Sequence, residues 1–150
     1  MATKYWFGWA LLLLISWPSA VAARDEPQED PWQFFVTGRF LLVGQQPNGG
    51  AAYAGEATIS SDGKGFLLRR TIGGKTLEAK GKSEVPQPPG EGKVLRFRWQ
   101  EGGQSWMLSC LVSTDLDNYA RLSCVWGRED QSYKVPGLES YYSSEVWSSE

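Results

Sequence analysis

Two adjacent glycines, Gly73-Gly74, separate the segments Gly65–Ile72 and Thr76–Val85. A two-residue linker in which both positions accept positive φ suits a tight antiparallel hairpin. It is far too short for a parallel pairing, whose crossover takes a dozen or more residues. Similar punctuation recurs at Gln46-Pro47-Asn48-Gly49-Gly50, Ser61-Asp62-Gly63-Lys64, Pro86 to Gly92, Glu101-Gly102-Gly103 and Thr114-Asp115-Leu116-Asp117. The strand-length segments around these clusters are Phe34–Val43, Ala52–Ser60, Gly65–Ile72, Thr76–Val85, Lys93–Gln100, Gln104–Ser113 and Asn118–Gly127, with Gln131 to Val135 as a candidate eighth.

The side-chain alternation agrees with strands. In Lys93–Gln100, Leu95, Phe97 and Trp99 share one face while Arg96 and Arg98 share the other. In Thr76–Val85, Leu77, Ala79, Gly81 and Val85 oppose Glu78, Lys80, Lys82 and Glu84. One dry and one wet face is the pattern of a barrel or sandwich wall. The expected fold is therefore all-β, an antiparallel meander of seven or eight strands closed into a small barrel, with a β-sandwich as the alternative. Closure removes the edge strands that would otherwise invite aggregation.

The glycine and aromatic rhythm of this region includes Tyr53-x-Gly55, Ile59, Gly63, Gly73-Gly74 and Gly81. It continues through Leu95-x-Phe97-x-Trp99 to Val125-Trp126-Gly127. From about Phe35 to Gly127 it resembles the up-and-down barrels of the calycin group, the avidins and lipocalins. The resemblance implies a meander barrel and carries over no ligand-binding residue. It departs from the lipocalin pattern in the first strand, where Gly38-Arg39-Phe40 stands in place of Gly-x-Trp.

The amino-terminal region reads differently. Lys4 precedes an unbroken apolar run from Tyr5 to Ile15, a break at Ser16-Trp17-Pro18, and the small residues Ser19-Ala20-Val21-Ala22-Ala23. That order is the pattern of a secretory signal peptide over residues 1–23, with cleavage after Ala22 or Ala23. The run is shorter than the ~20 residues a membrane-spanning helix needs. Residues 24–33 form a charged, proline-bounded linker, 34–135 the barrel domain, and 136–150 a polar carboxy-terminal tail. The expected location is secreted or periplasmic, with no membrane span in the mature chain.

Cys110 and Cys124 are the only cysteines. In an exported chain a disulfide is the default. Each shares strand parity with large apolar residues: Cys110 with Trp106 and Leu108, Cys124 with Leu122 and Trp126. A hairpin centred on Asp117 would set residue 110 opposite residue 124, within bridging distance.

No histidine occurs in the chain. That excludes Ser-His-Asp and Cys-His nucleophilic sites and imidazole zinc sites. A carboxylate pair or a Ser-Lys dyad remains as enzyme chemistry. Asp115 and Asp117 are the nearest approach to a carboxylate pair, and they read more simply as turn formers. Together with Asn118 they lack the glycine and distal glutamate of a calcium loop. No cofactor and no metal site is expected.

Net charge is only −2, yet basic residues concentrate between Lys64 and Arg98. Lys80, Lys82, Arg96 and Arg98 share outward parity and are candidates for an anion-binding face. Nucleic-acid binding would call for aromatics interleaved on that face, and they lie on the opposite one. Trp99, Trp106 and Trp126 face inward; they are core residues or, where the barrel leaves a cavity, candidates to line a ligand pocket. The expected function is that of a small exported binding protein, with a small ligand in the lumen or an envelope or secreted protein on the outer wall and loops. A small secreted hydrolase using carboxylate or Ser-Lys chemistry is the alternative.

Overall fold

A computed structural model describes residues 31–85, 93–112 and 120–144. After a short helix, α1 (Pro31–Val36), eight strands follow: β1 (Gly38–Gln45), β2 (Ala52–Ser61), β3 (Phe66–Ile72), β4 (Lys75–Glu84), β5 (Val94–Glu101), β6 (Gln104–Val112), β7 (Ala120–Arg128) and β8 (Gly137–Ser143). Each pairs antiparallel with the next, and β8 pairs with β1, so the meander closes into a barrel. The barrel, not the sandwich, is the fold.

The alternation read from β5 holds. Leu95 and Phe97 are fully buried and Trp99 nearly so, while Arg96 and Arg98 lie on the outer wall. The half of the lumen toward α1 is filled by Phe40, Ile59, Leu68, Leu95, Phe97, Leu108 and Leu122. Removing a side chain of that kind from water contributes about 1.5–3 kcal/mol each. Gly81 faces Phe97 across the β4–β5 pair, and a Cβ at Gly81 would fall 2.5 Å from two carbons of the ring. The glycine is what lets the phenyl ring cross the lumen.

Two boundaries differ from the sequence expectation. The first strand begins at Gly38 and not at Phe34, because Pro31 opens a one-and-a-half-turn helix and Gly38 breaks direction at φ 139°. Val36 at the end of that helix is fully buried, and the Gln33 side chain accepts a bond from Ser61 Oγ at 3.3 Å. The eighth strand is Gly137–Ser143, inside the expected polar tail, and not Gln131 to Val135. Residues 131–135 instead form a connection held to the β1–β2 loop. Asn48 Oδ1 accepts from the backbone N–H of Lys134 (2.7 Å) and Val135 (3.2 Å), and Asn48 N–H donates to Val135 O. The inward positions of β8 are Gly137, Glu139 and Tyr141, a set with too little apolar character to register as a dry face.

Cys110 lies directly opposite Cys124 in the β6–β7 pair, with Cα atoms 4.0 Å apart and the sulfurs bonded inside the lumen. The hairpin register about Asp117 is thus the one expected, although residues 113–119, including Asp115, Asp117 and Asn118, lie outside the described residues. The bond closes a loop with a sequence separation of 14, which the chain-entropy model values at about 3 kcal/mol. Replacing both cysteines by alanine should lower the urea-unfolding free energy by about that amount. Peptide mapping without reductant should recover the two cysteine peptides linked; two alkylatable thiols in the folded protein would contradict the bond.

Candidate functional site

The interior is not wholly apolar. β3 alternates Phe66, Leu68, Arg70 and Ile72 toward the lumen, so its register forces a guanidinium inside. From the far side of the barrel, β8 brings in Glu139 between Gly137 and Tyr141. The two side chains, 6% and 0% exposed, meet as an ion pair between Arg70 Nη1 and Glu139 Oε1. Tyr53 OH donates to Glu139 Oε1 at 2.6 Å, and Tyr141 OH donates to Oε2 at 2.5 Å. The carboxylate therefore has three donors on its two oxygens. Burying two charges is tolerable only with this degree of satisfaction, because their desolvation otherwise exceeds their attraction.

Both phenols are altered by this arrangement. Burial, followed by the negative charge of Glu139, holds Tyr141 well above the ordinary phenol range. Tyr53 is shifted in the same direction by burial, the Glu139 charge and its hydrogen bond to that carboxylate. Each phenol is kept as a neutral donor.

Three indoles surround the pair. Trp99 and Trp106 face each other across the β5–β6 pair, stacked with centroids 6.2 Å apart and planes 12° from parallel. Trp126 lies 5.7 Å from Trp106 and 6.3 Å from Trp99, tilted to both, and Tyr53 meets Trp126 edge-on at 6.5 Å. The Arg70 guanidinium sits 4.8 Å from the Trp99 ring and 5.3 Å from that of Trp126, within the range in which ring quadrupoles attract a cation. Two glycines make the cluster possible. A Cβ at Gly44 would fall 2.6 Å from the Tyr53 ring, and one at Gly137 would fall 2.3 Å from Trp126 Nε1.

A pocket of about 350 Å³ opens over this cluster, at the end of the barrel that carries the Gly73-Gly74 and Gly102-Gly103 turns. Trp106, Trp126, Tyr53 and Arg70 form its inner wall with Ile72 and Leu77; Gln46, Lys75 and Glu101 stand at the rim. Lys75 Nζ lies 3.7 Å from Glu101, and Trp106 Nε1 donates to Glu101 O at 3.3 Å, which fixes the indole against the wall. The volume falls within the usual range for small-ligand sites, about 300–1,000 Å³. A larger hollow of about 450 Å³ lies on the outer wall across β1, β2 and β3. It is bounded by exposed side chains such as Arg39, Glu56 and Arg69, and solvated charges of that kind hold a ligand weakly.

Of the residues singled out from sequence, Trp99, Trp106 and Trp126 converge in the lumen. Trp106 and Trp126 reach the pocket, while Trp99 stands behind them, 7% exposed and with no hydrogen-bond partner for Nε1 among the described residues. Sequence reasoning passed over Arg70, Glu139 and the role of Tyr53. Arg70 left a signal, an arginine at the parity of Phe66, Leu68 and Ile72.

The outward cations also come together: Lys80 lies opposite Arg98 and Lys82 opposite Arg96. Glu84 accepts from Arg96 at 2.7 Å and from Arg98 at 2.8 Å, and Glu129 accepts from Arg98 at 2.9 Å. The hydrogen bond from Arg98, more than that from Arg96, holds the Glu84 carboxyl below its ordinary range. Half of this basic patch is thus neutralised in place, leaving Lys80 and Lys82 exposed. Among the described residues no group of three acidic or cysteine side chains is placed to hold a metal ion.

The raised tyrosines set an alkaline limit on stability. A phenol whose folded pKa lies above its unfolded value near 10 contributes fully below pH ~10, and the contribution is lost as pH rises above it. For Tyr141 the loss should approach about 1.4 kcal/mol per pH unit, with a smaller share from half-exposed Tyr53. Urea unfolding at pH 9 and pH 11, before and after Tyr141→Phe, measures the slope. An unchanged slope in the variant would show that Tyr141 ionises normally in the fold. Compared with known proteins, the sequence matches no protein-family model and no curated protein, so the functional reading stands on the geometry of the lumen.

Proposed function

We propose that this protein binds a small ligand at the open mouth of its barrel and acts after export. One observation carries the binding reading: an open pocket of about 350 Å³ is lined at once by two tryptophans, a tyrosine and an arginine, Trp106, Trp126, Tyr53 and Arg70. Few rigid aromatic surfaces combined with convergent polar groups is the usual composition of a ligand site. Export is supported by the residue order of Met1 to Ala23 and by the Cys110–Cys124 bond, which persists in oxidising compartments. No helix among the described residues is long and apolar enough to cross a membrane.

The hydrolase reading finds less support. Carboxylate catalysis needs one group free to hold or take a proton beside another. Glu139 is occupied by three donors, and Glu101 stands at the rim beside Lys75. The outer cations Arg96 and Arg98 are a weaker site for a partner because Glu84 and Glu129 already occupy them.

The test uses an uncharged, environment-sensitive dye of naphthalene size, monitored by energy transfer from tryptophan. Binding should weaken by about tenfold or more in Trp106→Leu and stay unchanged in Arg96→Ala/Arg98→Ala. Unchanged binding in Trp106→Leu, or its loss in the double arginine variant, would place the site outside the lumen. For export, mass spectrometry of protein from its native host should find a chain beginning at Ala23 or Arg24; an intact Met1 would contradict it.

A further inference from the structure

We infer that the ligand class is an uncharged sugar ring, one or two pyranose units, stacked on Trp106 and hydrogen-bonded by Arg70, Tyr53 and Gln46. This inference rests on the mouth being a binding site and goes further by assigning the chemistry it selects.

Charge is the first constraint. The pocket is lined by two cations, and each is already paired: Arg70 with the buried Glu139 beneath the pocket, Lys75 with Glu101 at the rim. An anionic ligand drawn to Arg70 would come up against the Glu139 carboxylate, and a cationic ligand would come up against Arg70. Either would leave a partly desolvated charge without a counter-charge, a costly state. A neutral ligand leaves both pairs intact.

The density and kind of polar groups is the second constraint. Arg70 spends one N–H on Glu139, keeps further guanidinium donors, and is one of the residues that line the pocket. Tyr53 OH donates inward to Glu139 and its oxygen can also accept, and the Gln46 amide offers both a donor and an acceptor. Donors and acceptors side by side suit hydroxyl groups, each of which can do both. A flat heteroaromatic of the same size carries fewer polar atoms and would leave several of these groups unpaired at a cost.

The third constraint is the aromatic wall. Trp106 is only half-buried, and its N–H is turned to the Glu101 carbonyl, so its π surface, not its polar edge, is what the wall offers. The negative face of an indole attracts weakly positive C–H bonds, and a pyranose presents a patch of axial C–H groups on one side with hydroxyls around its edge. The half-open pocket holds a ring of that size while its edge stays in reach of the rim.

The experiment follows the tryptophan indole N–H signals of the mature, disulfide-bonded chain by ¹⁵N NMR. Titrants are neutral sugars (methyl glucosides and galactosides, N-acetylglucosamine, cellobiose, maltose), charged sugars (glucuronate, glucosamine), adenosine and a medium-chain fatty acid. The inference expects shifts at Trp106 and Trp126 with at least one neutral sugar. The affinity should change less than about twofold between about 0.05 M and about 0.5 M salt, and fall about tenfold in Trp106→Leu. If Trp106→Leu does not fold, the exposed Gln46→Ala carries the same test through a smaller loss. Shifts only with the charged sugars, adenosine or the fatty acid would overturn the sugar assignment while leaving the mouth as the binding site. If no titrant moves the lumen indoles, both the assignment and the mouth as a site are overturned.

Discussion

The interior of this barrel is organised by one ion pair, Arg70 with Glu139, formed between strands on opposite sides of the lumen. A buried charge pair of this sort does little for stability in itself, since desolvation offsets most of the attraction; losing one partner, however, strands the other and is severe. The surroundings follow from keeping it satisfied. Two tyrosines donate to the carboxylate, and two indoles lie against the guanidinium. Glycines at 44 and 137 clear the space for Tyr53 and Trp126. The same pair divides the lumen. Toward α1 apolar side chains fill it, and on the other side the polar cluster forms the floor of an open mouth.

Barrel closure and the ion pair depend on each other. β8 both seals the sheet, by pairing with β7 and β1, and supplies Glu139 and Tyr141. Glu139 lies opposite Cys124 on one side and Gly44 on the other, so the disulfide-bonded hairpin and the first strand both set where the carboxylate stands. The Asn48 contacts to Lys134 and Val135 fix the approach to β8. A strand that carries a buried charge gains little from hydrophobic burial at that position, and its placement falls to pairing and to these local anchors.

Much of this was legible in the residues. Gly73-Gly74 and Glu101-Gly102-Gly103 specified tight hairpins, and the alternation of Leu95, Phe97 and Trp99 specified the inner face. The facing positions of Cys110 and Cys124 followed from counting outward from Asp117. β8 was hidden because its inward residues are glycine, glutamate and tyrosine, so the period-two signal is lost where polar atoms point inside. Arg70 was hidden for the same reason within β3, although the three apolar residues at its parity pointed to it. The helix at Pro31–Val36 escaped because the apolar residues Phe34, Phe35 and Val36 read equally well as the start of a strand. The outward cations were placed correctly by parity. Glu84 and Glu129, the partners of Arg96 and Arg98, sit 12 to 31 residues away from them, and only the closed sheet brings them together.

Arg70 and Glu139 act as a single charge-compensated unit at the centre of the lumen. A double-mutant cycle of Arg70→Met and Glu139→Gln, read by urea unfolding at neutral pH, measures this directly. Glutamine removes the charge while keeping an acceptor oxygen for one tyrosine hydroxyl, and the other hydroxyl can accept from its NH2 group. Arg70→Met should be strongly destabilising in the native background and much less so beside Glu139→Gln, giving a coupling of about 2 kcal/mol or more. Additive effects within about 0.5 kcal/mol would show that the two residues are not coupled and that the lumen is organised by something else.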